Sequence, residues 1–308
     1  MSAIRLALLG MGKIACDQHL PAIANNTGFT LAATVSRNGR GVEGVPHAPS
    51  LDALLADGIA LDAIVLCTPP QVRYELARRA LLRGFHVFLE KPPAATLGEV
   101  EILQEEARKS GATLFASWHS RFAPGVEPAR AWLAERQINR VSVVWREDVR
   151  IWHPGQAWIW EAGGLGVFDP GINALSILTH ILPNPFFLTH ARLAIPANRA
   201  LPIAADLTFR DRAGAAITMD LDWRQTGTQS WDIFVETDAG ILKLQSGGSL
   251  LSLPSGTEHL EEQEYPGLYK RFGELIRAGR SDVDIRPLRL VADVFLRGHR
   301  EIVDAFCD

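Results

Sequence analysis

An apolar run that passes straight into a glycine-rich turn and then a helical pattern constrains this chain more than any other feature. Ile4–Leu9 predicts a buried strand, Gly10-Met11-Gly12-Lys13-Ile14-Ala15 a turn, and Lys13–Ala24 a helix. Further strands are predicted at Thr30–Val35, Asp62–Cys67, His86–Leu89 and Thr113–Ser117. Between them lie helical patterns at Leu51–Leu55 and Gln71–Arg83, and one opened by Thr96 and Glu99 at capping-box spacing. Strands that are apolar throughout, rather than at every second residue, belong to a parallel sheet covered on both faces. Their alternation with helices predicts an α/β domain of Rossmann type, with a doubly wound parallel sheet.

The second half has a different grammar. All eight tryptophans fall between Trp118 and Trp231. A helix over Pro124–Arg136 and a long strand over Arg140–Val149 lead into a Trp- and Gly-rich loop, 150–166, and a helix over Pro170–Leu182. Segments at Leu188–Ile195, Ile203–Phe209, Ala215–Trp223, Trp231–Thr237 and Ile241–Gln245 then follow with only turn residues between them. Strands without intervening helices predict a large, mainly antiparallel open sheet in an α+β domain. Helical patterns near Gly267–Ala278 and Pro287–Phe306 follow. For 308 residues this predicts two domains, 1–120 for a dinucleotide and 121–308 for substrate binding and oligomerisation.

Charge narrows the partners. With 31 Lys+Arg against 35 Asp+Glu the net charge is −4, which argues against nucleic acid, whose phosphates need a basic surface. The first apolar run is too short to span a bilayer and lacks the features of a signal peptide, so no membrane role is expected. Cys16, Cys67 and Cys307 are scattered, with neither metal-ligand nor disulfide spacing, as expected in a reducing cytoplasm. No bound metal is expected.

Gly10-x-Gly12-x-x-Ala15 matches the dinucleotide fingerprint, and its place between strand and helix makes the match meaningful. The first glycine permits a tight turn, the second lets a pyrophosphate approach the backbone, and the small third residue lets helix and strand pack closely. Met11, Lys13 and Ile14 complete the loop. The second strand ends in Ser36 and Arg37 where an NAD-preferring site usually has an acidic residue. A hydroxyl and a guanidinium fork suit a 2′-phosphate, so NADP is expected, with NAD also accepted. A solvated arginine is the plain alternative. Thr68-Pro69-Pro70 and Glu90-Lys91-Pro92 follow the third and fourth strands, at sheet ends where ligands bind in such folds.

Together with Gly163-Gly164-x-Gly166-x-x-Asp169-x-x-x-Asn173, these motifs resemble the Gfo/Idh/MocA oxidoreductase family. Trp118-His119-Ser120-Arg121, Trp145-Arg146-Glu147-Asp148, Trp152-His153 and Trp158-Ile159-Trp160 are similar to its branch of bacterial galactose and arabinose 1-dehydrogenases. The resemblance implies a nicotinamide-dependent enzyme that oxidises the anomeric carbon of an L-arabinose- or D-galactose-type pyranose to a lactone, and a homo-oligomer, dimer or tetramer.

Two positions depart from the wider family: Asn173 and Arg73 stand where many members carry histidine. An amide cannot be a general base. The base role therefore moves to Asp169, one helical turn from Asn173, with Asn173 orienting the hydroxyl. At an ordinary carboxyl pKa of ~3.9, Asp169 is ionised at neutral pH. Lys91 assists by stabilising developing charge, and is the rival base. A plain helix-capping role for Asp169 stands beside the catalytic one. Lys91, Asp169, Asn173, His119, Glu147, Trp152, His153 and Trp231 are the expected sugar contacts, because aromatic planes suit C–H faces and polar groups suit hydroxyls. His180 is expected to be structural. Another sugar or polyol dehydrogenase of this fold, or a non-catalytic sugar- and NADP-sensing regulator, are the alternatives.

Overall fold

The computed structural model describes residues 2–307. The chain forms two compact units. The first runs up to Trp118 and regains Tyr265–Ile285; the second holds His119–Glu264 and the stretch from Arg286 onward.

Six parallel strands build the first unit: β1 (Ile4–Leu9), β2 (Phe29–Val35), β3 (His47–Ala48), β4 (Ala63–Leu66), β5 (His86–Glu90) and β6 (Leu114–Ser117). Their spatial order is β3-β2-β1-β4-β5-β6, with β1 at the point where the winding reverses. Leu6–Leu9 and Ala63–Leu66 are buried at every position, the pattern of strands covered on both faces. Apolar residues of the helices Leu51–Ala56, Pro70–Leu81 and Leu97–Ser110 join that core. At the last of these, Thr96 accepts from the Glu99 amide and the Glu99 carboxylate accepts from the Thr96 amide, the capping box expected from the sequence. Asp282 bridges to Phe115 at the β6 edge.

The second unit carries nine strands: β7 (Ile138–Arg146), β8 (Phe186–Pro196), β9 (Ala204–Asp211), β10 (Ala216–Asp222), β11 (Ser230–Thr237), β12 (Gly240–Gln245), β13 (Leu250–Leu253), β14 (Gly256–His259) and β15 (His299–Val303). Their order is β14-β13-β12-β11-β7-β10-β9-β8-β15, antiparallel except at β7–β10 and β8–β15. Alternate residues of β7, β9 and β10 are buried, including Val141, Val143, Leu207, Phe209, Ile217 and Met219. The opposite face is largely polar, with Val144, Ala204 and Ala216 among its apolar members, and carries ion pairs across the sheet: Arg146 with Asp220, and Arg192 of β8 with Asp206. The helix Phe168–Ile181 is almost wholly buried.

Local predictions fail in three places. The sequence predicts a helix over 287–306, but the helix is Arg286–Arg297, and Gly298 precedes β15 on the edge of β8. A Cβ at Gly298 would lie 2.6 Å from the Val294 carbonyl oxygen, so the close turn there requires glycine. The hairpin β13–β14 and the two-residue β3 are not predicted, being short and partly polar.

Candidate functional site

At the end of β1 the backbone turns with Gly10 at φ +94°, and a Cβ there would sit 2.9 Å from backbone atoms of Cys67 and Thr68. Glycine is thus required by the chain itself. Gly12 differs: its φ is not in the left-handed region, and a Cβ would meet nothing within 4 Å. No atom of the described residues demands glycine at that position, whereas a phosphate against the backbone would. Gly12, Lys13 and Ile14 are exposed, while Met11 and Ala15 are buried against the strand side. Lys13 pairs with Asp17 on the first turn. Nearby, Thr68 Oγ1 is buried without a hydrogen-bond partner among the described residues. Pro69 precedes, and buried Pro70 starts, the helix Pro70–Leu81. These features fit a dinucleotide.

At the end of β2 the Ser36 hydroxyl is buried and donates to the Arg40 carbonyl at 2.6 Å. Arg37 and Arg40 are both exposed beside it. The Ser36 bond thus shapes the loop that presents two guanidinium groups, only one of which the sequence singles out.

Lys91, half-buried, follows β5 and precedes a cis bond to Pro92. Two buried groups hold this segment. The Arg73 guanidinium donates to the carbonyls of Thr68, Glu90 and Pro92, tying the loop after β4 to both flanks of Lys91. The Glu90 carboxylate, 3% exposed, accepts from the Lys91 amide at 2.8 Å and the Tyr265 hydroxyl at 2.9 Å. His19, fully buried, has Nε2 3.1 Å from Glu90 Oε1 and Nδ1 2.8 Å from the Tyr269 hydroxyl. With a carboxylate at Nε2, the imidazole donates there and receives the Tyr269 proton at Nδ1. Burial, then the Glu90 charge, push the Cys67 thiol well above its usual range. The Glu90 side chain, expected at the cofactor, is thus engaged with buried protein groups.

In the second unit, polar groups gather among tryptophans. Glu147, just beyond β7, is buried and accepts Trp223 Nε1 at 3.1 Å on one oxygen and Trp231 Nε1 at 2.9 Å on the other. His153 follows a short helix, Val149–Trp152, whose N-cap is Asp148. Its ring lies 5.3 Å from Trp223, and its Nε2 is 3.3 Å from Asp169 Oδ2. Asp169 is 2% exposed, in the first turn of the helix Phe168–Ile181, with Asn173 half-buried one turn on. Gly166, at φ +55°, allows the approach to this helix, since a Cβ would lie 2.5 Å from the Pro202 carbonyl oxygen. Trp152 packs edge-on against Trp231 at 5.4 Å. The structure therefore brings Glu147, His153, Asp169, Trp152 and Trp231 into one connected neighbourhood. His119 instead faces Glu264, 2.6 Å from Nδ1 to Oε2, and His180 pairs with Glu127.

Glu147→Ala leaves the fully buried Trp223 indole without its acceptor. The expected loss is about 1–3 kcal/mol of stability. A lower denaturant midpoint together with red-shifted tryptophan emission checks it.

A model of an oxidoreductase family with an NAD-binding Rossmann fold, Gfo/Idh/MocA, matches residues 4–117. A galactose 1-dehydrogenase of Pseudomonas fluorescens is 47% identical over 311 residues, covering all of both chains. The chain belongs to the Gfo/Idh/MocA oxidoreductase family. A crystal structure of a D-galactose-1-dehydrogenase protein from Rhizobium etli superimposes with a TM-score of 0.95 at 58% identity, over 100% of this chain and 99% of that one. A 3-ketoreductase of Actinomadura kijaniata, 18% identical, shares the fold with a TM-score of 0.84 over 99% of this chain and 100% of that one. The family resemblance and the two-part Gfo/Idh/MocA fold expected from sequence are both borne out. As a member of this oxidoreductase family, the chain is an enzyme with a nicotinamide dinucleotide site.

Four side chains that support the candidate site carry no role in the sequence reading: His19, Arg73 as a tie, Trp223, and Trp160, which packs edge-on against Trp223 at 5.1 Å. His19 lies on the fingerprint helix, four residues after Ala15, which was the one available signal. Among the described residues, no three His, Cys, Asp or Glu side chains converge as a metal-ligand set, and no helix is long and apolar enough to cross a membrane.

Proposed function

We propose that the chain is an NADP-preferring aldose 1-dehydrogenase that converts a D-galactose- or L-arabinose-type pyranose to its lactone. The observation that carries this reading is the buried Asp169–His153 pair, 3.3 Å apart, beside a carboxylate held by two indoles. The names of the two full-length relatives support it.

A nicotinamide bound at the glycine turn would supply the acceptor for the hydride that leaves C1. Asp169 takes the proton from the anomeric hydroxyl as the lactone carbonyl forms. His153 holds that carboxylate through Nε2, and Asn173 orients the hydroxyl. Lys91 stabilises the charge that develops on the sugar oxygen. An anomeric hydroxyl is more acidic than an ordinary alcohol, so a carboxylate is an adequate base. Glu147, Trp152 and Trp231 contact the ring, whereas the expected contact His119 faces Glu264 instead. The two sugars differ by one hydroxymethyl group, worth only ~1–3 kcal/mol in a pocket, so D-galactose, L-arabinose and D-fucose should all turn over. The test is sugar-dependent growth of reduced-nicotinamide absorbance with each sugar and each cofactor. Absence of turnover with every aldose refutes the reading and favours a sensor.

The cofactor preference rests on Arg37. Arg37→Asp should raise the NADP dissociation constant at least tenfold and leave NAD within about twofold, since only NADP carries the 2′-phosphate. Titration of each cofactor by fluorescence checks it, and equal losses refute the assignment. Self-association, implied by the family resemblance, would meet a polar, ion-paired sheet face; light scattering in low and high salt tests whether that face is used.

A further inference from the structure

We propose that Phe306 is a positioning residue for the second unit's polar cluster, acting through Trp160. The inference rests on reading that cluster as the sugar site. After β15 the chain runs through exposed Asp304 and Ala305, yet Phe306 is half-buried. Its backbone is fixed twice by one side chain: its amide donates to Asn198 Oδ1 at 2.9 Å, and its carbonyl accepts from Asn198 Nδ2 at 2.8 Å. The Asn198 amide thus reproduces one rung of a strand ladder where β8 and β15 end.

The ring this anchor presents meets the 150–166 loop at two points. The Phe306 centroid lies 6.1 Å from Trp160, with the planes tilted by 45°. The Arg150 guanidinium sits 5.9 Å from it, and the same guanidinium is held by both oxygens of Asp148, at 2.8 and 2.9 Å. Asp148 caps the short helix that delivers His153. Trp160, in turn, is covered by Arg199 at 5.2 Å and packs edge-on against Trp223 at 5.1 Å. Trp223 touches His153 and holds Glu147.

Phe306 thus reaches the Asp169 partner by two routes, through the helix cap and through the tryptophan pair. The loop needs such support because it has only two one-turn helices, Val149–Trp152 and Ala157–Trp160, and no ladder of its own. Side chains carried on irregular backbone hold a productive geometry only when other groups pin them. The tryptophan route, made by direct ring contacts, ends on Glu147, read above as a contact of the sugar ring, so the effect falls mainly on sugar binding.

The test compares Phe306→Ala, Phe306→Tyr and Asn198→Ala in the full chain. Readouts are the KM and kcat for D-galactose, the NADPH dissociation constant, and the near-ultraviolet dichroism of the tryptophans. Phe306→Ala should raise the sugar KM about tenfold, the scale of one lost aromatic pair. The kcat and the NADPH affinity should stay within about twofold, the Trp160–Trp223 dichroism should weaken, and Phe306→Tyr should restore both. Asn198→Ala, which keeps the ring, should give a smaller shift in the same direction and decides the matter if Phe306→Ala does not fold. An unchanged KM and unchanged dichroism in Phe306→Ala overturn the proposal, as does a fall in kcat without a rise in KM. If the wild type turns over no aldose, the functional reading fails by itself. The dichroism then still judges the contact: weakened, Phe306 positions the tryptophans; unchanged, it does not.

Discussion

Asp169→Ala should lower kcat with D-galactose by about 10²–10⁴-fold, the usual worth of a positioned proton acceptor. The KM should move far less, and NADPH binding should stay intact, since the glycine turn and Arg37 belong to the other unit. Asp169→Asn is the sharper variant because it keeps the shape and can still meet His153. The 3.3 Å contact makes His153 the natural competitor for the base role. If Asp169 is the base, His153→Gln costs less than Asp169→Asn, and the acid limb of the pH profile survives. Near-normal turnover in Asp169→Ala would return the role to Lys91 or His153. Stopped-flow single turnover separates chemistry from product release and is the measurement of choice.

Glu90→Leu should cost about 3–5 kcal/mol of stability, the range for removing one member of a buried charged network. Three donors lose their acceptor at once: the His19 imidazole, the Tyr265 hydroxyl and the Lys91 amide. The imidazole and the hydroxyl cannot turn to water, because His19 and Tyr265 are buried. Glu90→Gln keeps one accepting oxygen and should lose about half as much. Thermal unfolding followed by circular dichroism gives the comparison. A loss below about 1 kcal/mol for Glu90→Leu would mean that the network is ornamental. Where Glu90→Gln folds, a lowered kcat would tie the network to Lys91, whose backbone it grips.

The fold was readable where pattern and chemistry coincide. Ile4–Leu9, Gly10 and Ala15 announce a strand, a turn and a close-packed helix in consecutive residues, and the structure places them so. The alternating strands from β7 to β12 were equally plain. The stretch 287–306 was not, because Leu288, Val291, Val294 and Ile302 extend a helical stripe past Gly298. Only pairing with β8 makes His299–Val303 a strand, and that partner lies a hundred residues earlier. The Arg73 tie was invisible for a related reason. A guanidinium that serves backbone carbonyls leaves no mark on the residues whose carbonyls it serves. Asp169 and His153 were both singled out, yet nothing in their spacing said that they touch each other.

The return of Tyr265–Ile285 to the first unit bears on how the protein is made. Tyr269 and Phe272 lie against Phe29, Phe88 and Phe115, with ring centroids 5.2–6.1 Å apart across this cluster. A nascent polypeptide still on the ribosome before that stretch has emerged would display those phenylalanines to solvent, and so invite chaperones or clumping. The dinucleotide half, although its sheet is translated before that of the second unit, is therefore completed only after residues 119–264 of the second unit have been made.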